Sequence, residues 1–120
     1  MRPFRIVHVN LSVRDADATP AFWREVMGLE PIARPGAAPG TGSWFRLGEI
    51  ELHLTVEPHV DNGGTRHQVA LEVEDLEGWR ARLVKGGAPI EPASPLPGVR
   101  RFFTRGPSGN RIEMCEPVAP

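Results

Sequence analysis

The sequence predicts an α+β fold: two tandem βαβββ modules that make a cupped mixed sheet. Two observations carry this reading. The first is the order of periodic segments, strand, helix and three strands, which occurs twice. The second is an arithmetic repeat. A shift of 60 residues puts Val9 on Val69, Leu11 on Leu71, Val13 on Val73 and Asp15 on Asp75. A shift of 62 puts residues 50–52 (I-E-L) on residues 112–114 (I-E-M). Small changes in loop length account for the drift. Module one is expected over residues 1–57 and module two over 67–120, with 58–66 as connector.

Each element has a local reason. Residues 6–13 alternate, with Val7, Val9, Leu11 and Val13 apolar and His8, Asn10 and Ser12 polar, which is a half-buried strand. A helix follows, with Thr19 as cap, Pro20 in its first turn and Gly28 as stop. A short strand is expected near residues 29–33, and a loop over 34–43. S-W-F-R-L-G and E-I-E-L-H-L-T-V read as two strands about a turn at Gly48. In the second module Q-V-A-L-E-V is a strand. D-L-E-G-W-R-A-R-L-V-K-G-G is a helix capped by Asp75 and stopped at Gly86 and Gly87, with Leu76, Trp79 and Leu83 as its buried stripe. Trp23 and Trp79 are both expected in the helix–sheet core. A short strand is expected at 89–91, a loop at 92–98, and two final strands about G-P-S-G. The competing topology is a ferredoxin-like domain, which has two strands between its helices.

Composition narrows the function. With 120 residues and a net charge of −1 the chain is one domain's length, without the basic surface that nucleic acid requires. The lone Cys115 excludes a disulfide framework and a CxxC metal cluster. Apolar runs are too short to span a membrane, and the opening M-R-P-F-R-I-V-H-V lacks a signal-peptide core, so the expectation is a cytoplasmic protein with no membrane or nucleic-acid partner.

The repeat singles out polar residues. His8 corresponds to Gln68 under the first shift and Glu51 to Glu113 under the second. All four sit on the polar faces of their strands, opposite the aliphatic faces that the helices must cover. Curling of the sheet turns the polar faces into a shared concavity where the four donors converge. Two carboxylates there repel and raise each other's pKa, a conflict a divalent cation removes. One imidazole with three oxygen donors suits Ni, Co, Mn, Fe or Zn and leaves two positions for water or a substrate's two oxygens. The bland alternative is a solvated polar sheet face. His53 reads as a cavity-lining residue because its repeat partner is Cys115; Trp44 lines the cavity or seals a dimer interface. Both are candidate substrate contacts.

H-V-N-L-S-V-R-D with F-W-R-E-V-M-G-L, W-F-R-L-G with E-L-H-L, V-A-L-E-V-E-D-L, and V-R-R-F-F-T-R-G-P-S-G-N-R-I-E-M together resemble the vicinal oxygen chelate superfamily, the glyoxalase, bleomycin-resistance and dioxygenase group. The resemblance implies paired modules, homodimerisation and metal ligands at His8, Glu51, Gln68 and Glu113. Gln68 stands where many members have histidine, and Gly106 where many have aspartate; His67 is the second choice to Gln68. It further implies metal-dependent isomerase, lyase or dioxygenase chemistry on a small molecule with vicinal oxygens, with Glu113 or Glu51 moving the proton. The glutathione-binding arginine of glyoxalase I falls at Ser12, and its asparagine at Thr55, so that thiol is not the expected substrate. The alternative is a metal-free small-molecule-binding protein of the bleomycin-resistance type.

Overall fold

The structure is a computed structural model that describes residues 1–119. The chain divides into two units, Met1–Val60 and Asp61–Pro120. Each carries one four-stranded mixed sheet.

The first unit runs β1 (His8–Val13), α1 (Ala18–Ala21, continued as a wider π-type turn over Phe22–Val26), β2 (Pro31–Ile32), β3 (Gly42–Leu47) and β4 (Ile50–Val56). The sheet order is β1-β4-β3-β2. β1 lies parallel to β4, and the other neighbours are antiparallel. Val13, Phe22, Trp23, Met27, Phe45, Leu52 and Leu54 form its core. Gly42 has a packing reason: a Cβ there would stand 2.3 Å from the Leu54 carbonyl oxygen. The turn between β3 and β4 uses the left-handed backbone of Gly48 (φ 58°).

The second unit runs β5 (Gln68–Glu72), α2 (Leu76–Lys85), β6 (Glu91–Pro92), β7 (Val99–Arg105) and β8 (Arg111–Pro117). Its order, β5-β8-β7-β6, repeats that of the first unit, again with one parallel pair, β5 with β8. Leu76, Leu83, Phe102, Ile112 and Met114 are buried on its helix side. This is βαβββ taken twice, and it excludes the ferredoxin-like alternative.

Two local expectations are corrected. The N-cap position of α1 is Asp17, and the side chain that satisfies the helix start is that of Asp15, not Thr19. The Asp15 carboxylate accepts from the backbone N–H of Asp17 (3.1 Å) and of Thr19 (2.9 Å) and from the Thr19 hydroxyl (3.2 Å). A carboxylate takes several donors at once, and Thr19 is buried in the first turn. Trp79 is only partly buried, with the Arg82 guanidinium 4.9 Å above its ring. Leu76 and Leu83 alone fill the α2 core stripe. The short strands β2 and β6 are two residues each; β2 falls inside the expected 29–33, and β6 runs one residue past the expected 89–91.

Candidate functional site

The polar residues form two donor pairs, one on each sheet. In the first unit His8 and Glu51 are register partners on the β1–β4 ladder, so both side chains leave the same face. His53, two residues further along β4, is buried. Its ring is stacked between those of Trp44 (3.9 Å, 3°) and His8 (4.1 Å, 16°). Its Nε2 lies 2.8 Å from Glu51 Oε1. That hydrogen bond holds the Glu51 carboxyl below the usual carboxylate range; Arg46, with Nη2 3.9 Å from Oε2, pulls the same way. Trp44 and His53 therefore pack together, and His53 lies between the two expected ligands and that wall.

In the second unit Gln68 Nε2 donates to Glu113 Oε1 at 3.4 Å. Arg101 Nη1 donates to the same oxygen at 2.9 Å, and both side chains of this ion pair are only 14% exposed. Arg101 Nη2 also donates to the Ser94 carbonyl (2.8 Å), which fixes the guanidinium. Glu113 Oε2 has no hydrogen-bond partner among the described residues. His67 precedes β5, is exposed, and is tied through its backbone N–H to the Thr65 hydroxyl. Cys115 donates its thiol hydrogen to the Leu71 carbonyl at 3.4 Å, and burial pushes the thiol pKa up.

The two ladders match under one shift of 60. His8 opposes Glu51, and Gln68 opposes Arg111. Asn10 opposes His53, and Ala70 opposes Glu113. The buried pairs agree, Leu52 with Ile112 and Leu54 with Met114. The diagonal contacts agree as well, His8 with His53 and Gln68 with Glu113. The shift of 62 read from I-E-L and I-E-M is therefore corrected: the in-sheet counterpart of Glu113 is His53, and that of Glu51 is Arg111. Matching letters misled because parallel pairing to β1 and β5, not string similarity, sets register.

Arg101, Phe103, Arg105 and Arg111 escaped the sequence reading. The signal was present, since the two-residue period of a strand puts Arg101, Phe103 and Arg105 of V-R-R-F-F-T-R on one face, and Phe103 opposes Glu113 across β7–β8. Phe103 is thus a buried aromatic on the polar face, covered by Arg101 (5.5 Å) and Arg111 (3.6 Å). A cleft of about 410 Å³, lined by Glu74, Asp75, Gly78, Trp79 and Arg82, opens at the start of α2 and contains none of the donors.

The carboxylates fit a role in holding a divalent ion. On Glu51 and Glu113 alike, Oε1 is committed to an orienting donor, the arrangement that outer partners give to ligating carboxylates. Glu113 Oε2 stays open, and Glu51 Oε2 meets only the distant Arg46. Among the described residues, no three His, Cys, Asp or Glu side chains gather as a metal-holding group.

Two modules of this topology, with donor pairs on corresponding strands, define the class. The chain belongs to the Glyoxalase/Bleomycin resistance protein/Dioxygenase superfamily, whose family model matches residues 5–114. It is 31% identical to the uncharacterized protein YwbC of Bacillus subtilis (strain 168), over 93% of this chain and 97% of that one. It is 26% identical to the glutathione transferase FosA of Serratia marcescens, over 89% and 77%. A crystal structure of a glyoxalase family protein from Bacillus anthracis superposes with a TM-score of 0.84 at 29% identity, covering 98% of this chain and 100% of that one. No helix among the described residues is long and apolar enough to cross a membrane.

Proposed function

We propose that this chain is a divalent-metal-dependent enzyme acting on a small molecule with two neighbouring oxygens, of isomerase, lyase or dioxygenase type. The observation that carries it is the paired, pre-oriented donor sets: His8 with Glu51 and His53 on one sheet, Gln68 with Glu113 on the other. His8, Gln68 and Glu113 would hold the ion with a fourth donor from β4, either Glu51 or His53. Ni, Co, Mn, Fe and Zn all suit such nitrogen and oxygen donors. When bound, the ion supplies Lewis-acid polarisation of the substrate oxygens. Glu51, kept ionised by the His53 hydrogen bond, takes the substrate proton as general base; Glu113 is the alternative base. The Trp44–His53 stack forms the wall against which a flat substrate lies.

Glutathione is disfavoured. The Ser12 hydroxyl donates to the Glu57 carboxylate, and the Thr55 hydroxyl donates to Asn10 Oδ1, so neither position offers a cation to a thiol peptide. A second reading, a metal-free small-molecule-binding protein, is favoured by the Arg101–Glu113 pair, which neutralises the carboxylate without any ion. In either case the protein is proposed to work as a homodimer.

Metal content decides between them. Protein purified without chelator is compared with His8→Ala and Glu113→Ala by elemental analysis. Stoichiometric metal in the wild type that both variants lose supports the enzyme. Wild-type protein that is empty and takes up no added Ni, Co, Mn, Fe or Zn sinks it. Glu51→Ala and His53→Ala in the same series identify the β4 donor.

A further inference from the structure

We infer that Arg111 is an oxyanion-binding residue, and that the substrate carries a carboxylate or phosphate group beside its two neighbouring oxygens. The inference rests on the reading of the Gln68–Glu113 face as the substrate-facing one. Arg111 lies on that face: it opposes Gln68 across β5–β8 and stands two residues before Glu113 on β8. Its guanidinium carbon stands 3.6 Å over the Phe103 ring centroid, so the ring supports the charged group in place before any ligand arrives. No carboxylate pairs with it among the described residues, and its Nε is buried without a hydrogen-bond partner.

The neighbours sharpen the anomaly. Arg105 stands directly opposite Arg111 across β7–β8, and like charges facing each other on a sheet are destabilising. Arg105 has Glu91 (2.9 Å) and the Gly109 carbonyl (3.0 Å). Arg101 has Glu113 and the Ser94 carbonyl. Each of those guanidiniums is answered by a carboxylate, and Arg111 is not. Glu72 shares the face but opposes Cys115, roughly 13 Å further along the ladder at the usual strand rise. Arg111 is thus the one guanidinium of the three on this face that no carboxylate answers among the described residues. A planar guanidinium fork suits the paired oxygens of a carboxylate or phosphate. Arg111 and Glu113 are two residues apart on β8, so their Cα atoms stand about 7 Å apart on one face, near enough for a small acid or phosphate ester to meet both side chains.

The test uses metal-free protein labelled with nitrogen-15 and titrated separately with inorganic phosphate and with acetate. The readouts are the arginine Nε–Hε signals and the backbone amides of Gln68 and Glu113. The expected result is a saturable shift at Arg111 and these amides with at least one anion; which anion acts names the group. Arg111→Gln weakens that binding about tenfold or more, and Arg111→Lys falls between. Without anion, Arg111→Gln melts within a few degrees of wild type, because the lost stacking on Phe103 is offset by relief of the like-charge opposition to Arg105. No saturable shift with either anion, or equal binding by Arg111→Gln, overturns the proposal. So does a large loss of melting temperature in Arg111→Gln, which would give the arginine a structural task. The titration contains no metal, so its failure is separate from a failure of the metal reading.

Discussion

Cys115 shows how neighbours set the chemistry of a group. Its thiol is pushed up from an ordinary 9.0, first by burial and then by the nearby Glu113 and Glu72 carboxylates. A raised folded-state pKa means the native thiol keeps its proton longer than the unfolded one. The associated stability is fully present below about pH 9 and is lost as pH rises through the raised value. Alkylation by iodoacetamide at about pH 8 is expected to be slower than that of a free-cysteine peptide, its rate still climbing above pH 9. Arg101 offers a second test. Replacing it with Met strands the Glu113 charge in a largely buried place, a loss of about 3 kcal/mol in urea melts of the metal-free protein. Added nickel is expected to restore part of this stability if Glu113 is a ligand, and none if it is not.

The α2 start and the β3–β4 hairpin carry the sharpest predictions for whole elements. Asp75 caps α2 through Gly78 N–H (3.1 Å) while its own backbone is left-handed (φ 57°). Asp75→Ala loses the cap and keeps the strain, so unfolding is expected to cost about 1 kcal/mol less, or somewhat more of a loss than Asp75→Gly shows. Gly42→Ala drives a methyl group into the Leu54 carbonyl and should displace β3 from β4, seen as collapse of amide protection along both strands.

Most elements were legible because their causes are local. The alternation of residues 8–13 and 68–72 and the Asp15 and Asp75 repeat needed no tertiary information. The register between β4 and β8 was not legible. It depends on parallel pairing to strands far away in sequence, while the letters I-E-L and I-E-M suggested a different match. In the sequence His53 reads as cavity wall for the same reason, since its counterpart Glu113 is visible only in the ladders. Arg111 was hidden by habit of pattern: an arginine beside a glutamate on an exposed-looking strand reads as solvated until its partner turns out to be a ring.

For the molecule as a whole, the repeated sheet order places β1 and β5 each at the edge of its own four-stranded sheet. Homodimer formation is expected in sedimentation velocity at micromolar concentration, and a monomer at all concentrations would remove that part of the proposal. The same two strands have a further consequence, for the time order of folding. Each donor pair is joined by a parallel ladder between distant segments; Gln68 and Glu113 are 45 residues apart. Such contacts form only after a long loop has closed, late in a slow search. Nothing in the unfolded chain resembles a chelate. Divalent metal added to the denatured protein is therefore expected to leave the refolding rate unchanged within about twofold and to act almost wholly by slowing unfolding.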